Sequence, residues 1–328
     1  MATLGQTYLT LADKMKRSDP DNKIAAIIEI LSETNEILQD AIVLEGNLPT
    51  GHRTTVRTGL PTSTWRKLNY GVQPSKSTTK QVDDSCGMLE AYSEVDKALA
   101  DLNGNSAAFR MSEDVAFMES MNQTMASTMF YGDTDVYPER FMGLAPRYDS
   151  ISTDPTKAGY NIIDAGGTGS DNTSVWFMKW GPNTVFLTYP KGSKAGFQHT
   201  DLGEDTLIDD NGGKYQGYRS HYKWDVGLVL RDWRAVARVA NIDVSNLNAG
   251  SVAIDDFMID AYYKVKKRPG KAAIYCTESV MIALHKIAKD KANVNLTIST
   301  FEGREIVSFL GMPIRECEQL LETEAQVT

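Results

Sequence analysis

Four histidines, three cysteines and a few acidic pairs are the residues that could do chemistry, so their spacing is tested first. His52, His199, His221 and His285 fall on separate segments, and none forms a metal-ligand pair at helical or strand spacing. His221 sits in an aromatic run and reads as a packed structural histidine. Cys86, Cys276 and Cys317 are far apart and odd in number, without a Cys-x-x-Cys. Neither a zinc ribbon nor a disulfide framework is indicated, and a reducing compartment is the simplest reading. Cys276 precedes a predicted helix N-terminus, where a thiolate can be stabilised. No histidine accompanies it in sequence, and a buried structural cysteine is the better reading. Asp209-Asp210 and Asp255-Asp256 could bind a cation, but solvated acidic loops explain them better. Gly166-Gly167-Thr168-Gly169-Ser170 lacks the Lys-Ser/Thr of a phosphate loop and the spacing of a dinucleotide fingerprint, so it reads as a flexible turn. No Gly-x-Ser-x-Gly elbow occurs. The sequence therefore predicts no catalytic residue, no cofactor and no metal.

The 328 residues can bury a sizeable core, and 41% hydrophobic with 23% charged residues is ordinary for a globular protein. A formal charge of −9 argues against a conventional nucleic-acid-binding module, which would show a basic face. The first residues lack a charged-then-apolar leader pattern, and no apolar run approaches membrane-spanning length. The expectation is a protein that acts where it is made or leaves by a route other than secretion.

Met118, Met121, Met125 and Met129 are spaced three, four and four apart, one stripe of a long helix over Ala107–Tyr131. These methionines read as packing residues rather than a cofactor box. Gly132 is expected to end the helix in the left-handed cap conformation. Met1–Pro49 is helical in pattern, with a short helix near Thr7–Lys16 and a better one over Lys23–Val43. It is either an ordinary helix hairpin or an arm that packs on another subunit. Ala91–Leu102 reads as a helix. Ser174–Trp180 and Thr184–Tyr189 read as a hairpin turning at Gly181-Pro182-Asn183, and Asp201–Gly213 as a mobile acidic excursion. Tyr215–Asp243 alternates as one or two long strands with a bend at Gly227. Asp255–Tyr263 is a predicted helix, Lys264–Gly270 a basic connector, Ala272–Cys276 a strand, and Thr277 opens another helix. Asn295–Phe301 and Glu305–Leu310 form a predicted hairpin. Met312–Arg315 is extended, and Glu318–Thr328 is a polar tail.

Gly51–Met88 differs from the rest. Thr54–Thr58 and Thr64–Leu68 have strand propensity around a turn at Gly59-Leu60-Pro61, and apolar residues are sparse. Arg53, Arg57, Arg66, Lys67, Lys76 and Lys80 form a basic cluster in an acidic protein. Such a segment cannot build its own core. It reads as a projecting hairpin, either solvated or docked on another, acidic chain. With Trp65, these six cations are the candidate inter-subunit contacts. Limbs that bury so little make sense if other copies of the chain supply the missing contacts.

Several stretches, taken in order, carry a resemblance over essentially the whole chain. They are Phe130-Tyr131-Gly132-Asp133 with Pro138 and Phe141-Met142-Gly143-Leu144; Ser174-Val175-Trp176 to Trp180-Gly181-Pro182-Asn183-Thr184-Val185; and Tyr189-Pro190-Lys191-Gly192 with Ala195-Gly196. Tyr222–Leu228 with Arg231-Asp232-Trp233 and Arg238, and Glu302-Gly303-Arg304 with Phe309–Arg315, complete the set. The sequence resembles the major capsid proteins of tailed double-stranded DNA bacteriophages, in the short-tailed branch typified by phage epsilon-fifteen. That resemblance implies a viral structural protein with no catalytic site, in the α+β Hong Kong ninety-seven-like fold. It implies an N-terminal arm (1–50), an extended hairpin or E-loop (51–90), and a peripheral domain (91–165) holding a spine helix (107–131). An axial domain with long strands (166–279) and a C-terminal return (280–328) follow. The implied partners are copies of the chain in hexamers and pentamers of an icosahedral shell, a portal, a possible decoration protein and packaged double-stranded DNA, with no membrane. No scaffold-like domain precedes the arm, so a separate scaffolding protein is expected, and no covalent cross-link is expected. The expected location is the virion, after assembly in the host bacterial cytoplasm. The alternative is an encapsulin-like cellular compartment shell on the same fold.

Overall fold

The computed structural model describes residues 35–102, 106–209, 211–289, 296–301 and 304–328. Most of the helical N-terminal pattern, with its Thr7–Lys16 helix and the Lys23–Thr34 part of the second, lies outside these residues; of the rest of the expected Lys23–Val43 helix only Ile37–Asp40 is helical, and Val43 opens a strand. After a one-turn helix α1 (Ile37–Asp40) and strand β1 (Val43–Glu45), β2 (Gly51–Gly59) and β3 (Thr78–Ser85) form a hairpin. Strand β4 (Gly87–Asp96) and a short helix α2 (Lys97–Asp101) lead into the 26-residue helix α3 (Ser106–Tyr131). Strands β5 (Ile162–Asp164), β6 (Asn172–Trp180), β7 (Val185–Tyr189), β8 (Gln198–Ile208), β9 (Lys214–Leu230) and β10 (Val236–Asp243) follow. Helices α4 (Val244–Asn248) and α5 (Ile254–Val265) precede β11 (Lys271–Cys276). Helix α6 (Glu278–Ala288) precedes β12 (Leu296–Phe301), β13 (Arg304–Phe309) and β14 (Met312–Glu316).

Strand β6 sits at the centre of a 12-stranded sheet, between β10 and β11 and antiparallel to both. Its sequence is apolar at consecutive positions, the pattern of a strand covered on both faces. Trp176, Met178 and Trp180 face one core with Met125, Met129 and Phe130 of α3. Val175 and Phe177 face a second core with Met258 and Ala261 of α5 and Val280 and Leu284 of α6. Each such side chain contributes about 1.5–3 kcal/mol of burial.

Helix α3 spans about 39 Å at the usual rise. Its C-terminal half is pinned to the sheet, and Phe109 near the other end packs with Val95 and Ala100. Of the methionine stripe, Met121, Met125 and Met129 are buried, while Met118 is 43% exposed. Gly132 is not left-handed, contrary to expectation. Its role is close approach: a Cβ there would lie 2.4 Å from the Phe141 carbonyl oxygen and 2.6 Å from that of Thr128. The chain crosses back over the helix end at that point, and the Gly143 N–H donates to the Gly132 carbonyl at 2.7 Å.

Four other expectations are corrected. Ala91–Leu102 is not a helix. Ten residues of β4 pair in register with β9, and this ladder overrides local helix propensity until Asp96 caps the short α2. Strands β6 and β7 are not a hairpin, because β10 and β11 already occupy both edges of β6. They meet only at Trp180 and Val185, and β7 pairs with β9 and β1. Asp201–Gly213 is not an excursion, since β8 runs through it against β9. Its acidic side chains are matched by Arg110 on Asp201, Lys97 on Glu204 and Arg219 on Asp205. The second strand of the basic hairpin is β3, not Thr64–Leu68, which lies in the loop.

The polar tail is bound to the body. Buried Glu324 accepts hydrogen bonds from Arg238 at 2.9 Å, from the Ser174 hydroxyl, and from the Tyr131 hydroxyl at 2.6 Å. Asn241 exchanges two hydrogen bonds with the Val327 backbone. Glu324→Ala leaves the Arg238 guanidinium buried and unpaired, and is expected to cost about 3–5 kcal/mol. Urea unfolding of the soluble subunit measures this, and Glu324→Gln, which keeps one acceptor oxygen, is expected to cost less.

Candidate functional site

The residues that suggested chemistry stay apart. His52 meets Phe186 edge-on at 5.3 Å, and His199 stacks on Tyr222 at 4.9 Å. His221 stacks on Tyr92 at 4.4 Å and reaches Glu90 at 3.2 Å. His285 is exposed on α6. Burial pushes the Cys276 thiol far above its ordinary range, away from reactivity. The Asp209 carboxylate accepts from the backbone N–H groups of Asn211 and Gly213, while Asp210 lies outside the described residues. Asp255 and Asp256 fall in the first turn of α5. Gly166 and Gly169 take positive φ in the turn between β5 and β6. Among the described residues, no group of three or more His, Cys, Asp or Glu could hold a metal ion.

The basic hairpin is the unusual surface. Six of the 34 basic residues and none of the 43 acidic ones lie between Asn47 and Val82. Its ladder of nine residues in β2 reaches about 30 Å. Residues 60–76 are all exposed, with Trp65 at 103% and Leu68 at 85%. Two hydrogen bonds shape this loop: Ser75 hydroxyl to Thr62 carbonyl at 2.8 Å, and Tyr70 N–H to Lys67 carbonyl at 3.2 Å. The seven candidate contacts divide. Arg53 forms a bidentate pair with Asp83 at 2.6 Å, so it holds the hairpin together. Arg57 and Lys80 lie on the ladder, and Trp65, Arg66, Lys67 and Lys76 lie on the loop.

The hairpin is fastened at its root by residues the sequence reading did not single out. Asp84, buried on β3, accepts from Arg147 at 2.8 Å. Arg147 also donates to the carbonyls of Gly143, Met142 and Leu228, so one guanidinium joins β3, the segment after α3, and β9. His52 pairs with Asp84 across the ladder. Its pKa is lowered by burial first and then by Arg231, with Asp84 opposing. Cys86 is pushed up to about 11 by burial and by Asp225 and Asp84. Beside the root lies a largely apolar groove of about 180 Å³, built from Gly87, Met88, Leu89, Met125, Phe141 and Trp224 among others. It draws on four distant segments, so no local signal could have revealed it. Among the described residues the arrangement offers surfaces for binding and no assembled catalytic group.

Nothing matches among curated protein sequences. The family model of major capsid protein GP7 matches residues 19–328. A near-atomic cryo-EM structure of bacteriophage Epsilon15 is 41% identical over 100% of both chains, with a TM-score of 0.79. The bacteriophage JBD30 capsid is a weaker match, 7% identical over 90% of this chain and 95% of that one, at a TM-score of 0.47. The SrpI encapsulin of Synechococcus elongatus PCC 7942 is weaker still, 9% identical over 68% and 92%, at 0.41. The architecture is the Hong Kong ninety-seven-like capsid fold. With its long helix, projecting basic hairpin and mixed sheet, the chain belongs to the GP7 family of bacteriophage major capsid proteins, whose copies form the icosahedral head.

Proposed function

We propose that this subunit joins the shell chiefly through the hairpin 51–85, acting as the E-loop and reaching a neighbouring copy with Trp65, Arg57, Arg66, Lys67, Lys76 and Lys80. The single observation that carries this reading is a cationic loop with a fully exposed tryptophan, held about 30 Å from its root by a regular ladder. In this reading α3 is the spine helix, residues 1–50 are the arm, and 91–165 form the peripheral domain. Residues 166–279 hold the axial domain with the long strands, and 280–328 return to the body. In this reading the hairpin is taken to end before 90, which the pairing of β4 with β9 from Gly87 onward supports. The shell encloses packaged double-stranded DNA, and the chain's charge of −9 disfavours trapping of phosphate on its wall. Hexamers and pentamers of the chain, a scaffolding protein, a portal and a possible decoration protein complete the head, which assembles in the host bacterial cytoplasm. Among the described residues no helix is long and apolar enough to cross a membrane.

Reversing two loop charges with Arg66→Glu and Lys67→Glu is expected to lower particle yield at least tenfold, with the soluble subunit's thermal unfolding unchanged. Like charges brought together at an interface cost several kcal/mol. Counting particles in negative-stain micrographs checks this; wild-type yield from the doubly reversed chain would remove the loop from the interface. The scaffolding expectation is checked by expressing the chain alone, where shells of irregular size or open sheets are expected.

The root also has a pH signature. His52 is held below its ordinary 6.5, so the folded root favours the neutral ring. Its contribution is complete above about 6.5 and declines as pH falls below that value toward the folded pKa. Amide protection factors, normalised to the intrinsic exchange rate at each pH, are expected to fall at residues 50–53 and 84–87 between pH 7.5 and 5.5, and His52→Gln to flatten the response.

A further inference from the structure

The hairpin is not the only place where this acidic chain turns basic. Four segments of the body, 157–161, 179–183, 231–235 and 264–271, meet at the C-terminal end of β6. Strand β6 contributes Lys179, on the face that carries Val175 and Phe177 toward α5. The last turn of α5 and the connector to β11 contribute Lys264, Lys266, Lys267, Arg268 and Lys271 within eight residues. Arg231 and Arg234 come from the turn after β9, and Lys157 precedes the turn Ala158–Asn161. Direct contacts hold the four segments together. Lys271 pairs with Trp180 in the sheet, and a Cβ on Gly270 would lie 2.5 Å from the Trp180 carbonyl oxygen. Arg231 donates to the Pro182 carbonyl at 3.0 Å. Arg268 lies 3.8 Å from Asp232, and the Lys264 ammonium sits 3.3 Å from the centre of the Tyr160 ring.

The acids nearby do not neutralise this cluster. Asp232 is the single acid on the four segments, and Arg234, at 2.8 Å, shares it with Arg268. Lys271 is engaged by buried Asp40, and Asp154 beside Lys157 accepts from Thr156. Among the described residues no salt bridge reaches Lys157, Lys179, Arg231, Lys264, Lys266 or Lys267. Burial alone lowers the Lys179 pKa, and the Arg268 Nε–H is buried without an acceptor. Cations in the last turn of a helix offset its dipole, which accounts for Lys264 and Lys266. It does not account for Lys157, Lys179, Arg231 and Arg234, which belong to other elements and converge on the same place. Tyrosines lie between the cations: Lys266 is 4.9 Å from the Tyr263 ring and 5.6 Å from that of Tyr262, and Tyr263 is 61% exposed. Such rings hold ammonium groups in place and add flat, polar-edged surface between them.

We propose that this patch binds the phosphate backbone of double-stranded DNA without reading its sequence. The proposal rests on reading the chain as the wall of a DNA-filled head, and it names where that wall touches its contents. Five of the six unpaired cations are lysines. Lysine meets phosphate as a mobile point charge, whereas the arginine fork grips a fixed carboxylate in two places, so the composition favours a diffuse polyanion over an acidic peptide. Elsewhere the chain is acidic and repels phosphate at long range. That repulsion is screened beyond about 8 Å at physiological ionic strength, so at contact the local sign decides. The genome is then held off most of the wall and touched at one place on each subunit.

Fluorescence anisotropy of a short labelled DNA duplex, titrated with the full soluble chain at a series of salt concentrations, reads the patch. Lys266→Gln with Lys267→Gln alters two exposed side chains and is expected to leave thermal unfolding unchanged. It should weaken duplex binding about tenfold at low salt and make the slope of log affinity against log salt shallower by about two. Unchanged affinity and slope overturn the proposal. A polyglutamate peptide that binds the wild-type chain as tightly as a duplex of equal charge assigns the patch to an acidic protein segment and overturns it too. Formaldehyde cross-linking of DNA-filled particles, with the nucleotide adducts mapped by mass spectrometry, locates the contact in the head. Adducts on Lys264, Lys266 or Lys267 are expected. Filled particles without adducts there overturn the patch and leave the shell reading standing, whereas particles that assemble but never hold DNA sink the DNA-enclosing reading and this proposal with it.

Discussion

Strand β6 has no polar face, and the rest of the architecture answers that constraint. A strand apolar on both sides must be covered twice: α3 covers the Trp176–Met178–Trp180 side, and α5 with α6 covers the Val175–Phe177 side. Covering the first side fixes the C-terminal half of α3 through Met125, Met129 and Phe130. The end of α3 then fixes the return of the chain at Gly132 and Gly143, where backbone passes too close for any Cβ. The segment leaving that crossing carries Arg147, which fastens Asp84 at the hairpin root. The position of a loop about 30 Å away is therefore set by a chain of contacts that begins in the core.

Two buried polar clusters give that core its register. Glu324 gathers Arg238, Ser174 and Tyr131, while Arg238 also donates to the Tyr148 carbonyl at 2.7 Å and lies 5.0 Å from the Trp176 ring. Asp40 accepts from Lys271 at 2.7 Å and from the Tyr275 hydroxyl at 3.1 Å, and Tyr275 in turn accepts from Trp180 Nε1 at 2.7 Å. Buried ion pairs add little net stability over apolar packing of equal volume, because desolvation offsets most of the attraction. A wrong alignment that strands one partner is costly. These clusters therefore act mainly against misdocking of two segments at the margins of the body: the C-terminal strap around Glu324 and the entry segment around Asp40.

What the sequence revealed and what it concealed divide along a physical line. Elements with local periodicity were legible. The methionine stripe marks α3, alternation marks β9 and β10, and Asp255–Tyr263 and Ala272–Cys276 fall within α5 and β11. Elements decided by distant pairing were not. Ala91–Leu102 reads as a helix, but its first six residues lie in β4, because Ala91 pairs with Tyr222 in a long ladder. Asp201–Leu207 looks like an acidic loop until Lys97, Arg110 and Arg219 arrive from other segments to neutralise it. The hairpin's existence and charge were readable from composition, but its second strand was not, since Thr78–Ser85 is polar and its pairing depends on register with β2 alone. The fastening of the root by Arg147 and the groove beside it are tertiary facts, each built from segments tens of residues apart.

Charge and exposed apolar surface are balanced differently in the free and assembled subunit. At −9, copies repel one another at a distance, which opposes association through the exposed Trp65, Leu68 and Met88. Repulsion of this kind is screened beyond about 8 Å at physiological ionic strength. At close range the local signs take over, with six cations on one limb against an otherwise acidic body. In the proposed hairpin contact, attraction would depend on orientation, favouring an approach that brings the hairpin onto a neighbour's acidic surface over one of body to body. Exposed ion pairs contribute little energy singly, so in that proposed contact the apolar side chains would supply most of the strength while the charges select its direction. A subunit built this way would resist random aggregation while its proposed contact closes a shell. A uniformly neutral surface with the same exposed tryptophan would not make that distinction.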